Sequence, residues 1–106
     1  MADEIIVLIT ASTREDASRI GTALVEEHLA ACVNIVPEVR SLFSWEGRMQ
    51  DERETLLIAK SRHALLERVI ARVKSLHSYT VPEIIALPII GGARDYLDWV
   101  KEMTKE

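Results

Sequence analysis

Glu46-Gly47 sits between two stretches of strand-like sequence, and this hairpin constrains the fold more than anything else in the chain. Upstream, residues 32–45 read CVNIVPEVRSLFSW; downstream, a partner strand starts near Arg48, stays polar from Gln50 to Glu54 and turns apolar over 55–59, TLLIA. Gly47 tolerates the positive φ that a two-residue hairpin turn demands. Val39, Ser41, Phe43 and Trp45 share one face of the upstream strand, and Arg40, Leu42 and Ser44 the other. Pro37 has no N–H for a ladder, so a bulge or an unpaired edge is expected there. Strands of ~14 residues far exceed the usual ~5–6. Arms of that length outrun the sheet that a 106-residue chain can build, and exposed strands invite pairing with another chain. The arms are therefore expected to join subunits.

The remaining elements fall around this hairpin. Residues 4–10, EIIVLIT, are β-branched and apolar and read as a buried strand. Ser12 or Thr13 offers an N-cap, and Ser12 with Glu15 has capping-box spacing. Ala17, Ile20, Leu24 and His28 recur at helical spacing, which predicts a first helix from about 14 to 29. Lys60 to Arg62 reads as the joint to a second helix, whose stripe is Leu65, Leu66, Val69, Val73 and Leu76. Residues 77–90, HSYTVPEIIALPII, place an apolar run between Pro82 and Pro88, a strand buried on both faces over 81–90. Gly91-Gly92 breaks the chain before a third helix, begun near Asp95 and apolar at Tyr96, Val100 and Met103. The order is βαββαβ plus a terminal helix. It predicts a single α+β domain over 1–106 with the ferredoxin-like split βαβ topology, an antiparallel sheet with helices on one face and an extra C-terminal helix.

The net charge of −4 and pI near 5.4 argue against nucleic acid and against an anionic membrane surface, both of which call for clustered Lys and Arg. No apolar run reaches the ~20 residues of a membrane span. The start, Met-Ala-Asp-Glu, has no basic or apolar leader character, and Cys32 is the only cysteine. The expected location is cytoplasmic.

Candidate chemistry collects where the 81–90 strand begins. His77 and Tyr79 lie across a helix-to-strand turn from Glu83. His77 reads either as a helix C-terminal histidine bonding the last carbonyls or as a cleft residue for a metal or an anion. Cys32 reads as a small buried hydrophobe, with a metal ligand or reactive thiol as the other possibility. His28 suits the helix dipole and His63 is expected in solvent. Trp45 and Phe43 are placed where subunits would meet, and aromatic residues are enriched in such contacts. The acidic stretch Asp51, Glu52 and Glu54, interrupted by Arg53, reads as a solvated loop.

No P-loop, dinucleotide fingerprint, HExxH or nucleophile elbow is present. A phosphatase reading through Arg14 lacks glycine in the loop Ala11-Ser12-Thr13-Arg14, and an RNA-binding sheet would carry aromatics where this one is aliphatic.

Four segments in order, Ala31–Pro37, Ser41–Gly47, His77–Ile85 and Tyr96–Trp99, resemble the CutA divalent-cation tolerance family over nearly the whole chain. Three positions depart from the family pattern: Glu38 stands where a glycine is usual, Ser78 where proline is usual, and Ile9 where some members carry a cysteine. The resemblance implies a fold similar to the PII signalling proteins, a homotrimer, a role in tolerance of copper and other divalent metals, and no firm catalytic activity. Under it, His77 and Glu83 are the metal candidates, Tyr79 and Cys32 line a ligand cleft between subunits, and Trp45 and Phe43 are interface residues. One chain offers only two ligands, so any metal is expected to bind weakly, copper ahead of zinc. The second reading is a PII-like signalling module that takes a small anionic ligand in the same cleft.

Overall fold

The computed structural model describes residues 3–105. It contains β1 (Glu4–Ala11), α1 (Arg14–Glu26), β2 (Cys32–Trp45), β3 (Arg48–Arg62), α2 (Leu66–Leu76), β4 (Ile84–Pro88) and α3 (Arg94–Met103), with one 3-10 turn, His63–Leu65, leading into α2. The four strands form one sheet in the order β2-β3-β1-β4, and each neighbouring pair is antiparallel. This is the expected α+β, ferredoxin-like arrangement.

Alternation along the strands builds the core. Ile5, Val7 and Ile9 of β1 stand opposite Ser61, Ala59 and Leu57 of β3, all buried. Ala17, Ile20 and Leu24 of α1 and Val69 and Val73 of α2 close over them, every one fully buried. Gly21 lets α1 come close to the sheet: a Cβ there would lie 3.3 Å from Val33 Cγ1. The even-numbered side chains Ile6, Leu8 and Ile58 face the other way, and on β4 Ile85 and Leu87 stay about half exposed, at 50% and 48%. Within one chain β4 is thus an edge strand buried on a single face, where burial on both was expected, because α1 and α2 cover only one side.

Local signals set most boundaries. Thr13 caps α1 by accepting from the Asp16 amide at 3.0 Å, while Ser12 bonds the Asp16 carboxylate and makes no capping box. α1 stops at Glu26, short of residue 29, because His28 takes a left-handed φ of 59° and Leu29 and Ala30 fold back onto the Leu24 carbonyl. β3 continues through Arg62, past the expected joint, because Glu4 supplies a partner for it. β4 is shorter than expected at both ends, since the chain from His77 to Glu83 forms a loop. The turn Glu46-Gly47 has φ of 51° and 78°, both positive as a tight primed turn requires. The ladder between β2 and β3 slips between Val36 and Val39, so the bulge falls at Pro37.

α3 packs on β3 and β1. Arg62 donates to the Thr104 carbonyl at 2.8 Å and to its hydroxyl at 2.9 Å, and His28 Nδ1–H donates to the Met103 carbonyl at 3.2 Å.

Candidate functional site

β1 pairs with β3 only as far as Ala11 opposite Thr55, so the hairpin beyond that point is a free two-stranded arm. Between this arm, the end of β1 and the loop before β4 lies a cleft of about 870 Å³. Thr10 and Ser12 form its floor. Ser41, Phe43, Trp45, Gln50, Glu52 and Glu54 form the arm side, and Ser78 to Val81 with Glu83 the loop side. Among the described residues three carboxylates line it and no Lys or Arg does. A smaller groove of about 310 Å³ between α1 and β2 is lined by apolar groups such as Val25, Val33 and Ile35.

The arm face follows from register. Past the bulge, Val39 stands opposite Glu54, Ser41 opposite Glu52 and Phe43 opposite Gln50, which puts the aromatics and these two carboxylates on one face. The opposite face pairs its own charges: Arg40 grips Asp51 at 2.7 and 2.9 Å, and Arg53 reaches Glu38 at 2.8 Å. The arginine hydrogen bonds hold the Asp51 carboxyl below the usual carboxylate range. The acidic stretch is therefore strand, where a solvated loop was expected, and its members divide by parity.

His77 stands behind the loop wall. Its Nε2–H donates to the Thr10 carbonyl at 2.6 Å, and its Nδ1 accepts from the Tyr79 amide at 3.0 Å. Those partners require the neutral imidazole with the proton on Nε2, and both ring nitrogens are engaged. The His77 and Tyr79 rings lie 4.8 Å apart, and the Tyr79 hydroxyl donates to Glu54 Oε2 at 2.9 Å. Burial first, and then the Glu54 carboxylate, push the Tyr79 phenol up to about 12. Glu54 is only 8% exposed. The chain His77–Tyr79–Glu54 thus ties β1, the loop and the base of the arm together.

The structure brings Tyr79, Glu83, Trp45 and Phe43 to one cleft. Cys32, expected with Tyr79, lies apart from it within the chain: it opens β2 opposite Lys60, at the far end of the strand from Trp45. Among the described residues no three His, Cys, Asp or Glu side chains converge as a metal group. Glu52, Glu54 and Thr10 were missed as site residues. Counting register outward from Glu46-Gly47 would have put Glu52 beside Phe43.

Comparison with known proteins gives this arrangement a context. The family described as CutA1 divalent ion tolerance protein matches residues 5–103. The Thermus thermophilus protein named divalent-cation tolerance protein CutA is 52% identical over 95% of this chain and 98% of its own. The Arabidopsis thaliana protein named Protein CutA, chloroplastic is 48% identical over 95% of this chain, which spans only 56% of that longer protein. Among solved structures, that of CutA1 from Oryza sativa superposes with a TM-score of 0.95 at 46% identity, covering 99% of this chain and 96% of that one.

Proposed function

The chain belongs to the CutA1 divalent ion tolerance family, and from that premise we propose that it serves divalent-cation tolerance as a homotrimer, without an enzymatic reaction, by holding cations weakly in a cleft between subunits. The observation that carries this reading is the cleft lining of Glu52, Glu54 and Glu83 with no basic side chain. Such a wall attracts cations and repels anions, which favours it over the PII-like anion-binding module.

The donors lining the cleft are chiefly carboxylate and hydroxyl oxygens, which suit hard divalent ions. They do not close a site within one chain, so a neighbouring subunit or solvent completes the shell. Among the described residues Glu83 is the loop-side carboxylate without a hydrogen bond or ion pair. His77 joins as the second donor only by giving up the Tyr79 amide at Nδ1, which keeps copper and zinc binding weak.

Calorimetry with manganese, zinc and copper on the wild type, Glu83→Gln and His77→Gln tests this. Glu83→Gln is expected to weaken all three ions several-fold, and His77→Gln to weaken copper and zinc while sparing manganese. A wild type that takes up no divalent ion at millimolar concentration would defeat the proposal.

A further inference from the structure

The cleft is larger than a bare metal ion requires. A divalent ion takes four or more donors converging within ~2.0–2.6 Å. At about 870 Å³ the cleft has the size of a site for an organic molecule, and among the described residues no three His, Cys, Asp or Glu converge in it. Its carboxylates are spread along the walls instead. Glu52 and Glu54 are two residues apart on one face of β3, ~7 Å at ~3.4 Å per residue, and Glu83 stands on the loop wall. Two further observations bear on what spans them. Glu54 is nearly buried; its Oε2 accepts from the Tyr79 hydroxyl at 2.9 Å, while its Oε1 accepts from no described residue and is left to the cleft. Phe43 and Trp45 line the same cleft and remain 41% and 48% exposed.

We infer that the cleft binds a linear aliphatic polyamine, its ammonium groups on Glu52, Glu54 and Glu83 and its methylene segments against Phe43 and Trp45. A neutral apolar ligand on these rings would strip water from three carboxylates without pairing them. An anion would be repelled. A chain that carries several ammonium groups satisfies both linings: each ammonium donates to a carboxylate and is drawn to the faces of the rings, and the methylenes between them cover apolar surface. No Lys or Arg among the described residues lines the cleft to compete for the carboxylates. In the assembly proposed above the ligand lies at the seam between copies and shares the rings with the neighbour. The inference rests on the acidic cleft that carries the proposed cation binding, and goes beyond it in naming an organic ligand.

The test is calorimetry in a chelating buffer with spermidine, hexanediol and a trilysine peptide on the wild type, Glu52→Gln and Phe43→Leu. Spermidine is expected to bind the wild type, more tightly at low salt than at high, and hexanediol, which has the chain without the charge, not to bind. Glu52→Gln should weaken spermidine about tenfold. Phe43→Leu keeps an apolar side chain but loses the ring face, and should weaken it about threefold. Sedimentation and circular dichroism check that both variants assemble and fold like the wild type; Glu52→Gln, isosteric and exposed, keeps the test decisive where Phe43→Leu disturbs assembly. A wild type that binds manganese in chelator-free buffer and ignores spermidine overturns this inference and leaves the proposed function standing. Spermidine binding without uptake of any divalent ion does the reverse. Binding that neither variant weakens lies outside the cleft and overturns the inference, as does hexanediol binding as tightly as spermidine. A trilysine peptide that outbinds spermidine assigns the cleft to the side chains of a protein partner and overturns the free polyamine.

Discussion

At the scale of the residue, Tyr79 links the loop to the arm. Its hydroxyl serves the nearly buried Glu54, and its amide serves His77. Tyr79→Phe removes the donor to Glu54 and keeps the ring, so a loss of about 1 kcal/mol in urea unfolding is expected at pH 7. The phenol is raised to about 12 in the folded chain from an ordinary value of 10.0. A group whose pKa is raised on folding contributes stability in full below its unfolded value and loses it as pH climbs through the folded one. Wild-type stability should therefore carry a Tyr79 component that falls between about pH 10 and 12. Tyr79→Phe should lack that component, and a wild type and variant with parallel pH profiles over this window would count against the bond.

At the scale of the element, the long hairpin depends on its turn and its bulge. Gly47 has φ of 78° with open space around its Cβ position, so a substitution there meets backbone strain and no clash. Gly47→Ala is expected to cost about 1 kcal/mol. The loss should appear as faster amide exchange along the arm, with the ladder between β1 and β3 unchanged. Uniform loss of protection across the sheet would mean that the arm and the domain unfold as one unit. The bulge at Pro37 and Glu38 reverses the parity of β2, which is how Phe43 and Trp45 come to share a face with Glu52 and Glu54.

At the scale of the whole molecule, the chain measures 44 × 25 × 23 Å, elongated by the arm. One side of its sheet is open and apolar, and Ile85, Leu87, Phe43 and Trp45 are all exposed in the single chain. A soluble monomer would leave this surface in water. Light scattering is expected to give three times the 12.0 kDa chain mass. Trp45→Ala should weaken that assembly by ~2 kcal/mol or more without altering far-UV circular dichroism. A Trp45→Ala protein that stays trimeric with unchanged melting would assign Trp45 a surface role only.

The amino-acid sequence by itself determined the order of elements, the turn at Glu46-Gly47, the bulge at Pro37 and the identity of the two arms as one over-long hairpin. Each depends on neighbours in the chain: the period of apolar residues, the φ that glycine permits, the N–H that proline lacks. Tyr79 and Glu83 were legible as cleft residues for the same reason, since they cluster along the chain, whereas Phe43 and Trp45 were legible only as one strand face and read as interface residues. Only the tertiary structure decided that His77 spends both nitrogens on Thr10 and Tyr79, that Glu54 is buried against a phenol, and that Cys32 sits opposite Lys60 at the end of β2 away from the arm. Thr10 and His77 are 67 residues apart. Their contact exists because β1 is a central strand whose last carbonyls face the start of the loop to β4, and no local pattern encodes that juxtaposition. The burial that raises Tyr79 likewise arises from the arm crossing the loop, and the chain acquires that crossing only when β3 pairs with β1.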